Sequence, residues 1–76
     1  MVTQKGVSLP QDFSKALETD AQALGAFESM RPSCQKRYVA WIEGAKRPET
    51  RERRIKRALE MALDWKHRHQ NYEEKP

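Results

Sequence analysis

Apolar residues recur along this chain at helical spacing, in four runs separated by prolines and capping residues. Leu9-Pro10 opens the first run. Ser8 can accept from a first-turn amide, Gln11 three residues on completes a capping-box pattern, and Pro10 is tolerated where no N–H is needed. Phe13, Ala16 and Leu17 then share a face. Asp20 is a good N-cap for a second run that presents Ala23, Leu24, Phe27 and Met30, with Gly25 costing ~1 kcal/mol against Ala in its middle. Arg31-Pro32 ends this run, and Ser33 caps a third in which Cys34, Tyr38, Trp41, Ile42 and Ala45 form one stripe. Arg47-Pro48 stops the third run, because the residue before proline avoids helical geometry. Pro48-Glu49 suits the first turn of a fourth, with Ile55, Ala58, Leu59 and Ala62 as its stripe and Leu63 at the margin.

The pattern predicts helices near residues 10–18, 21–30, 34–46 and 49–68, with no β-sheet: an all-α, compact single domain whose last helix is the longest. Residues 1–8 read as a flexible lead-in, 9–69 as the helical domain and 70–76 as a disordered tail.

Composition sharpens the picture in one place. The net charge of +4 is uneven: residues 1–30 carry −2, 31–45 carry +2, 46–57 carry +5 and 58–76 carry −1. Seven basic and two acidic residues between Lys46 and Arg57 hold the excess, which points to an anionic partner. Cys34 is the only cysteine, so no internal disulfide forms, and the chain is expected in a reducing compartment. The first residues lack a charged-then-apolar leader, and no apolar run approaches the ~18 residues of a membrane span. A soluble, cytoplasmic protein is the expectation.

Candidate chemistry is thin. His67 and His69 stand two apart and so face different sides of a helix, without the spacing that binds zinc. Cys34 falls on the apolar stripe with no neighbouring base, which suits an inert thiol better than a nucleophile. There is no Gly-rich phosphate loop and no paired-carboxylate layout. No enzyme, metal site or cofactor is expected.

A binding surface is more plausible. Arg47, Arg54, Arg57 and Arg68 recur along one flank of the fourth helix, with Trp65 beside them. This is either a solvated face laced with Glu pairs or a surface for an anionic partner. Tyr38, Trp41 and Ile42 are most simply core residues; the alternative is a groove that exposes their rings. Arg51 differs from Arg54, because it precedes Ile55 by four residues and extends the apolar stripe. It is expected as a largely buried structural clamp, paired with Asp12, Asp20 or Glu43 and with carbonyls at the end of the third helix. On that reading Arg51→Ala costs ~2–4 kcal/mol and Arg54→Ala stays within ~0.5.

The stretch YVAWIEGAKRPETRERRIKRALE, preceded by LPQDFSKAL, resembles the YdeI/OmpD-associated family, also labelled bacteriocin-protection proteins. The resemblance rests on Leu9-Pro10, Phe13, Leu17, Ser33, Tyr38-Val39, Trp41-Ile42, Ala45-Lys46, Thr50-Arg51 and Arg54-Ile55, in that order, and covers about residues 8–63. It implies a helical module linked to resistance against bacteriocins or cationic antimicrobial peptides and to association with an outer-membrane porin, with no reaction implied. Some relatives are periplasmic, and longer ones join the module to a further domain. The expected function is therefore a non-enzymatic interaction module with an unknown protein partner. The alternative is a small nucleic-acid-binding helical domain, for which the pI of about 9.5 speaks. Against it, the third helix exposes only Lys36, Arg37, Ala40 and Glu43 and offers no Asn to read adenine.

Overall fold

The computed structural model describes the backbone of residues 1–73 and the side chains of residues 1–68. Among the described residues there are four α-helices: α1 (Gln11–Glu18), α2 (Ala21–Ser29), α3 (Pro32–Glu43) and α4 (Pro48–Glu73). The expected all-α class and the long last helix are as read from the sequence. α4 lies against each of the other three helices, most extensively α2. Its stripe of Ile55, Ala58 and Ala62 is buried, with Leu59 and Leu63 half-buried beside it. These small side chains let α4 approach closely, and Phe13, Leu17, Phe27, Met30 and Ile42 fill the space around it. Phe27 sits between two aromatic neighbours, its ring edge-on to Phe13 at 5.2 Å and to Tyr38 at 5.5 Å.

Asp20 caps α2, accepting from the Ala23 amide at 3.2 Å. The capping box expected from Ser8 and Gln11 does not form. Pro10 stands at the N-cap of α1 without a side-chain cap, and Ser8 is engaged instead in an antiparallel bridge with Val2. α3 begins earlier than expected, since Pro32 occupies its first turn and Arg31 precedes it in extended conformation. Ser33 is thus inside the helix rather than its cap. α3 also ends earlier, at a Gly44 C-cap.

Residues 1–8 are not the free lead-in that their polarity suggests. The segment turns at Gly6, whose φ of 87° suits glycine, and returns so that Leu9 N donates to Met1 O at 2.8 Å. Thr3, Val7 and Leu9 are buried by this turn. The Thr3 hydroxyl donates to Gln35 Oε1 at 2.8 Å, and Gln35 Nε2 donates to Phe27 O at 2.7 Å and Met30 O at 3.3 Å. Gln35 therefore ties the N-terminal turn, the end of α2 and α3 together. The expected disordered tail is corrected over residues 70–73, where the backbone continues α4 to Glu73; its last three positions, 74–76, lie outside the described residues.

Candidate interaction surface between α3 and α4

Gln35 and Ile42 are the residues α3 buries fully, so the helix is turned away from its expected stripe. Tyr38 and Cys34 are half-buried, with the Cys34 thiol 3.8 Å from Met30 Sδ, and Trp41 is 38% exposed. The expectation that Trp41 is core is corrected: its ring lies at the rim where α3 faces α4.

Two arginines of α4 meet the C-terminal end of α3, where helix carbonyls lack intrahelical donors. Arg54 Nη1 donates to Trp41 O at 2.6 Å, and its guanidinium lies 5.5 Å from the centroid of the same residue's ring. Arg54 is thus a half-buried cap on α3, not the free flank cation expected. Arg51 grips Asp12 of α1 with both nitrogens of its fork, Nε to Oδ2 at 2.8 Å and Nη2 to Oδ1 at 3.0 Å. Its Nη1 also points at Ile42 O from 3.5 Å, the limit of a hydrogen bond. The clamp joins α1, α3 and α4, but it is not largely buried: the Arg51 side chain keeps 25% of its accessibility and Asp12 keeps 43%. The hydrogen bonds from Arg51 hold the Asp12 carboxyl below its ordinary value, and Asp12 in turn raises the Arg51 guanidinium.

The rest of the basic flank divides into two open recesses. Trp41, Thr50, Arg53, Arg54 and Arg57 line one of about 400 Å³. Tyr38, Arg57, Met61, Asp64, Trp65 and Arg68 line the other, of about 280 Å³. Arg57 belongs to both, and the two follow one another along α4. Within them Arg57 pairs with Glu60 at 3.2 Å and Arg68 pairs with Asp64, both solvent-exposed i,i+3 or i,i+4 contacts. Trp65 is half-buried and packs against the core. Burial pushes the Tyr38 phenol above its ordinary value, with Cys34 and Asp64 adding to the effect, so it stays a neutral donor.

Of the sequence-predicted flank, Arg54, Arg57, Arg68 and Trp65 thus line recesses facing α3, whereas Arg47 lines neither. Arg47 instead sits exposed before Pro48, its carbonyl accepting from Thr50 N and Arg51 N. Lys46 is exposed in the same connection, and Thr50 is half-buried in the first recess. Arg53 was missed in the sequence. Its only signal is position, three residues after Thr50 and four residues before Arg57 on the same helix face. It has no hydrogen-bond or ion-pair partner among the described residues.

Among the described residues no cluster of three or more His, Cys, Asp or Glu is arranged to hold a metal ion, and no helix is long and apolar enough to cross a membrane. His67 is exposed, and the His69 side chain lies outside the described residues.

No curated protein and no solved structure matches the chain. A family model does, that of the bacteriocin-protection, YdeI or OmpD-associated proteins, over residues 7–64. That span takes in the N-terminal turn from Val7, all of α1, α2 and α3, and α4 as far as Asp64, so that of the residues lining the two recesses only Trp65 and Arg68 lie beyond it. The chain therefore belongs to the bacteriocin-protection, YdeI or OmpD-associated family.

Proposed function

We propose that this chain is a non-enzymatic helical interaction module that holds a protein partner carrying anionic side chains on the basic face of α4. The observation that carries this reading is the placement of Arg57 between two recesses, flanked by Trp41 in one and by Trp65 in the other. Tryptophan, tyrosine and arginine are the residues that dominate protein–protein binding energy, and here they adjoin one another on one face. In this reading the family's link to bacteriocin protection is exercised through binding, with no cofactor, and the protein works in the cytoplasm, in keeping with its single thiol.

Nucleic acid is the competing partner class, supported by the pI of about 9.5. It is less favoured because the positive face is interrupted by Glu60 and Asp64.

Immobilised chain exposed to cell lysate at low and moderate salt tests the reading. Protein should be retained at both, and the variant Arg47→Glu/Arg57→Glu/Arg68→Glu should lose it while its helical circular dichroism stays unchanged. Arg54 is left intact because it caps α3. Retention that survives the triple reversal refutes the basic-face reading. Retention of mainly nucleic acid, falling steeply with salt, favours the competitor.

A further inference from the structure

The two recesses on α4 share Arg57 and follow one another along the helix, so they are treated as one trough. Their lining residues recur at positions 50, 53, 54, 57, 61, 64, 65 and 68 of α4, a set three and four apart that stays on one face of a helix. From Thr50 to Arg68 that face is about 27 Å long at 1.5 Å per residue. Its α3 wall is made by Trp41 and Tyr38.

We propose that this trough seats an extended acidic segment of a partner protein, with Trp41 as its apolar anchor and Arg53 and Arg57 as its carboxylate receivers. The inference rests on the reading that the basic face holds an anionic protein, and it assigns the contact to the trough rather than to the flank at large. Charge complementarity argues for the occupant. Arg53 has no partner among the described residues, and Arg57 is committed only to an exposed pair with Glu60 that a competing carboxylate can replace. Guanidinium forks favour carboxylates bidentately, which suits Asp and Glu side chains.

The form of the occupant follows from the dimensions. About eight residues of extended chain cover 27 Å at 3.3–3.4 Å per residue. Alternate side chains of such a segment meet the trough, so an apolar residue over Trp41 and acidic residues over Arg53 and Arg57 fit a period of two. A phosphate backbone fits less well, because Asp64 projects into the same trough beside Arg68.

A display library of random peptides about twelve residues long, panned on the full chain, is the probe; the length covers the trough with a margin. Peptides bearing Asp or Glu together with an aliphatic or aromatic residue should be enriched. Their affinity, read by fluorescence polarisation, should fall about tenfold or more in Trp41→Ala and in Arg53→Glu/Arg57→Glu, and less than about threefold in Lys15→Glu/Lys36→Glu. The lysine variant makes the same charge change on residues that line neither recess. Arg53 and Arg57 are exposed, so that variant should keep the wild-type thermal midpoint even if Trp41→Ala does not. Equal losses in the arginine and lysine variants would overturn the trough while leaving the anionic-partner reading standing. Enrichment of no acidic peptide would overturn both. Tighter binding of a single-stranded oligonucleotide than of any selected peptide would also overturn the proposal, in favour of nucleic acid.

Discussion

Arg51 joins three helices, and the strength of that joint can be worked from its surroundings. Its bidentate bond to Asp12 is the geometry in which an ion pair contributes most, yet Asp12 is 43% exposed and Arg51 25%. Solvent screening holds such a pair to ~1 kcal/mol. The contact to Ile42 O, at 3.5 Å, adds little. Partial burial of the aliphatic stem contributes ~0.5 kcal/mol more. Arg51→Ala should therefore cost ~1–2 kcal/mol, below the ~2–4 expected of a buried clamp. Arg54→Ala loses a charge-assisted bond to Trp41 O and a ring contact, ~1 kcal/mol, because water can reach the vacated carbonyl at a helix end. Since the two single changes differ little, the decisive measurement is a double-mutant cycle of Arg51→Ala and Asp12→Ala in urea. A coupling of ~0.5–1.5 kcal/mol is expected, smaller at high salt, and each kcal/mol should move the thermal midpoint by ~4–8 °C. Additivity within ~0.3 kcal/mol would refute the clamp.

The same pair has a signature in pH. Because Arg51 lowers the folded Asp12 carboxyl below its ordinary value of 3.8, its contribution is complete above that value and is lost as pH falls through the folded one. Wild type should thus lose stability below about pH 4 more steeply than Asp12→Asn, in urea midpoints taken across that range. Gln35→Ala should cost ~2–3 kcal/mol in urea unfolding, since it leaves a cavity at a fully buried position and removes the acceptor of the Thr3 hydroxyl and a donor to Phe27 O and Met30 O. Hydrogen exchange over residues 3–9 should accelerate with it, and unchanged protection there would show the N-terminal turn to be held by other contacts. Gly25→Ala should raise stability by ~0.5–1 kcal/mol, because Gly25 is helical and exposed and a Cβ there meets nothing within 4 Å. A thermal midpoint that falls on this change would contradict it.

Helix existence was readable because each apolar run carries its own period. Ala23 and Phe27 behind the Asp20 cap, and Ile55, Ala58 and Ala62 on α4, all lie inward as their spacing says. Local capping was less readable, since it is a competition. Ser8 could have capped α1, but its backbone pairs with Val2 once the chain turns at Gly6. That turn had a signal, a glycine between Val2-Thr3 and Val7-Ser8-Leu9, in a segment whose polarity suggested a free end. What the polarity concealed was a partner: Thr3 is buried because Gln35 awaits its hydroxyl.

Gln35 also explains why the candidate surface was only half readable. A search for apolar residues on α3 finds Cys34, Tyr38, Trp41, Ile42 and Ala45, and the middle of that stripe lies between Tyr38 and Trp41. The face that α3 buries is centred instead between Gln35 and Ile42, roughly 60° around the helix at 100° per residue. Leaving out one polar residue was enough to shift the apparent axis. Gln35 can be core because the end of α2 presents two carbonyls to its amide, a fact of tertiary arrangement that no period in α3 contains. Once α3 is turned by that amount, Trp41 moves from the core to the rim, and its carbonyl and ring come within reach of Arg54. Arg54 in turn precedes the buried Ala58 by four residues, so it stands at the edge of α4's stripe, where it becomes flank or cap according to which helix arrives. The buried glutamine thus sets the rotation of α3, the rotation exposes Trp41, and Trp41 gives the arginines of α4 an aromatic wall to work against.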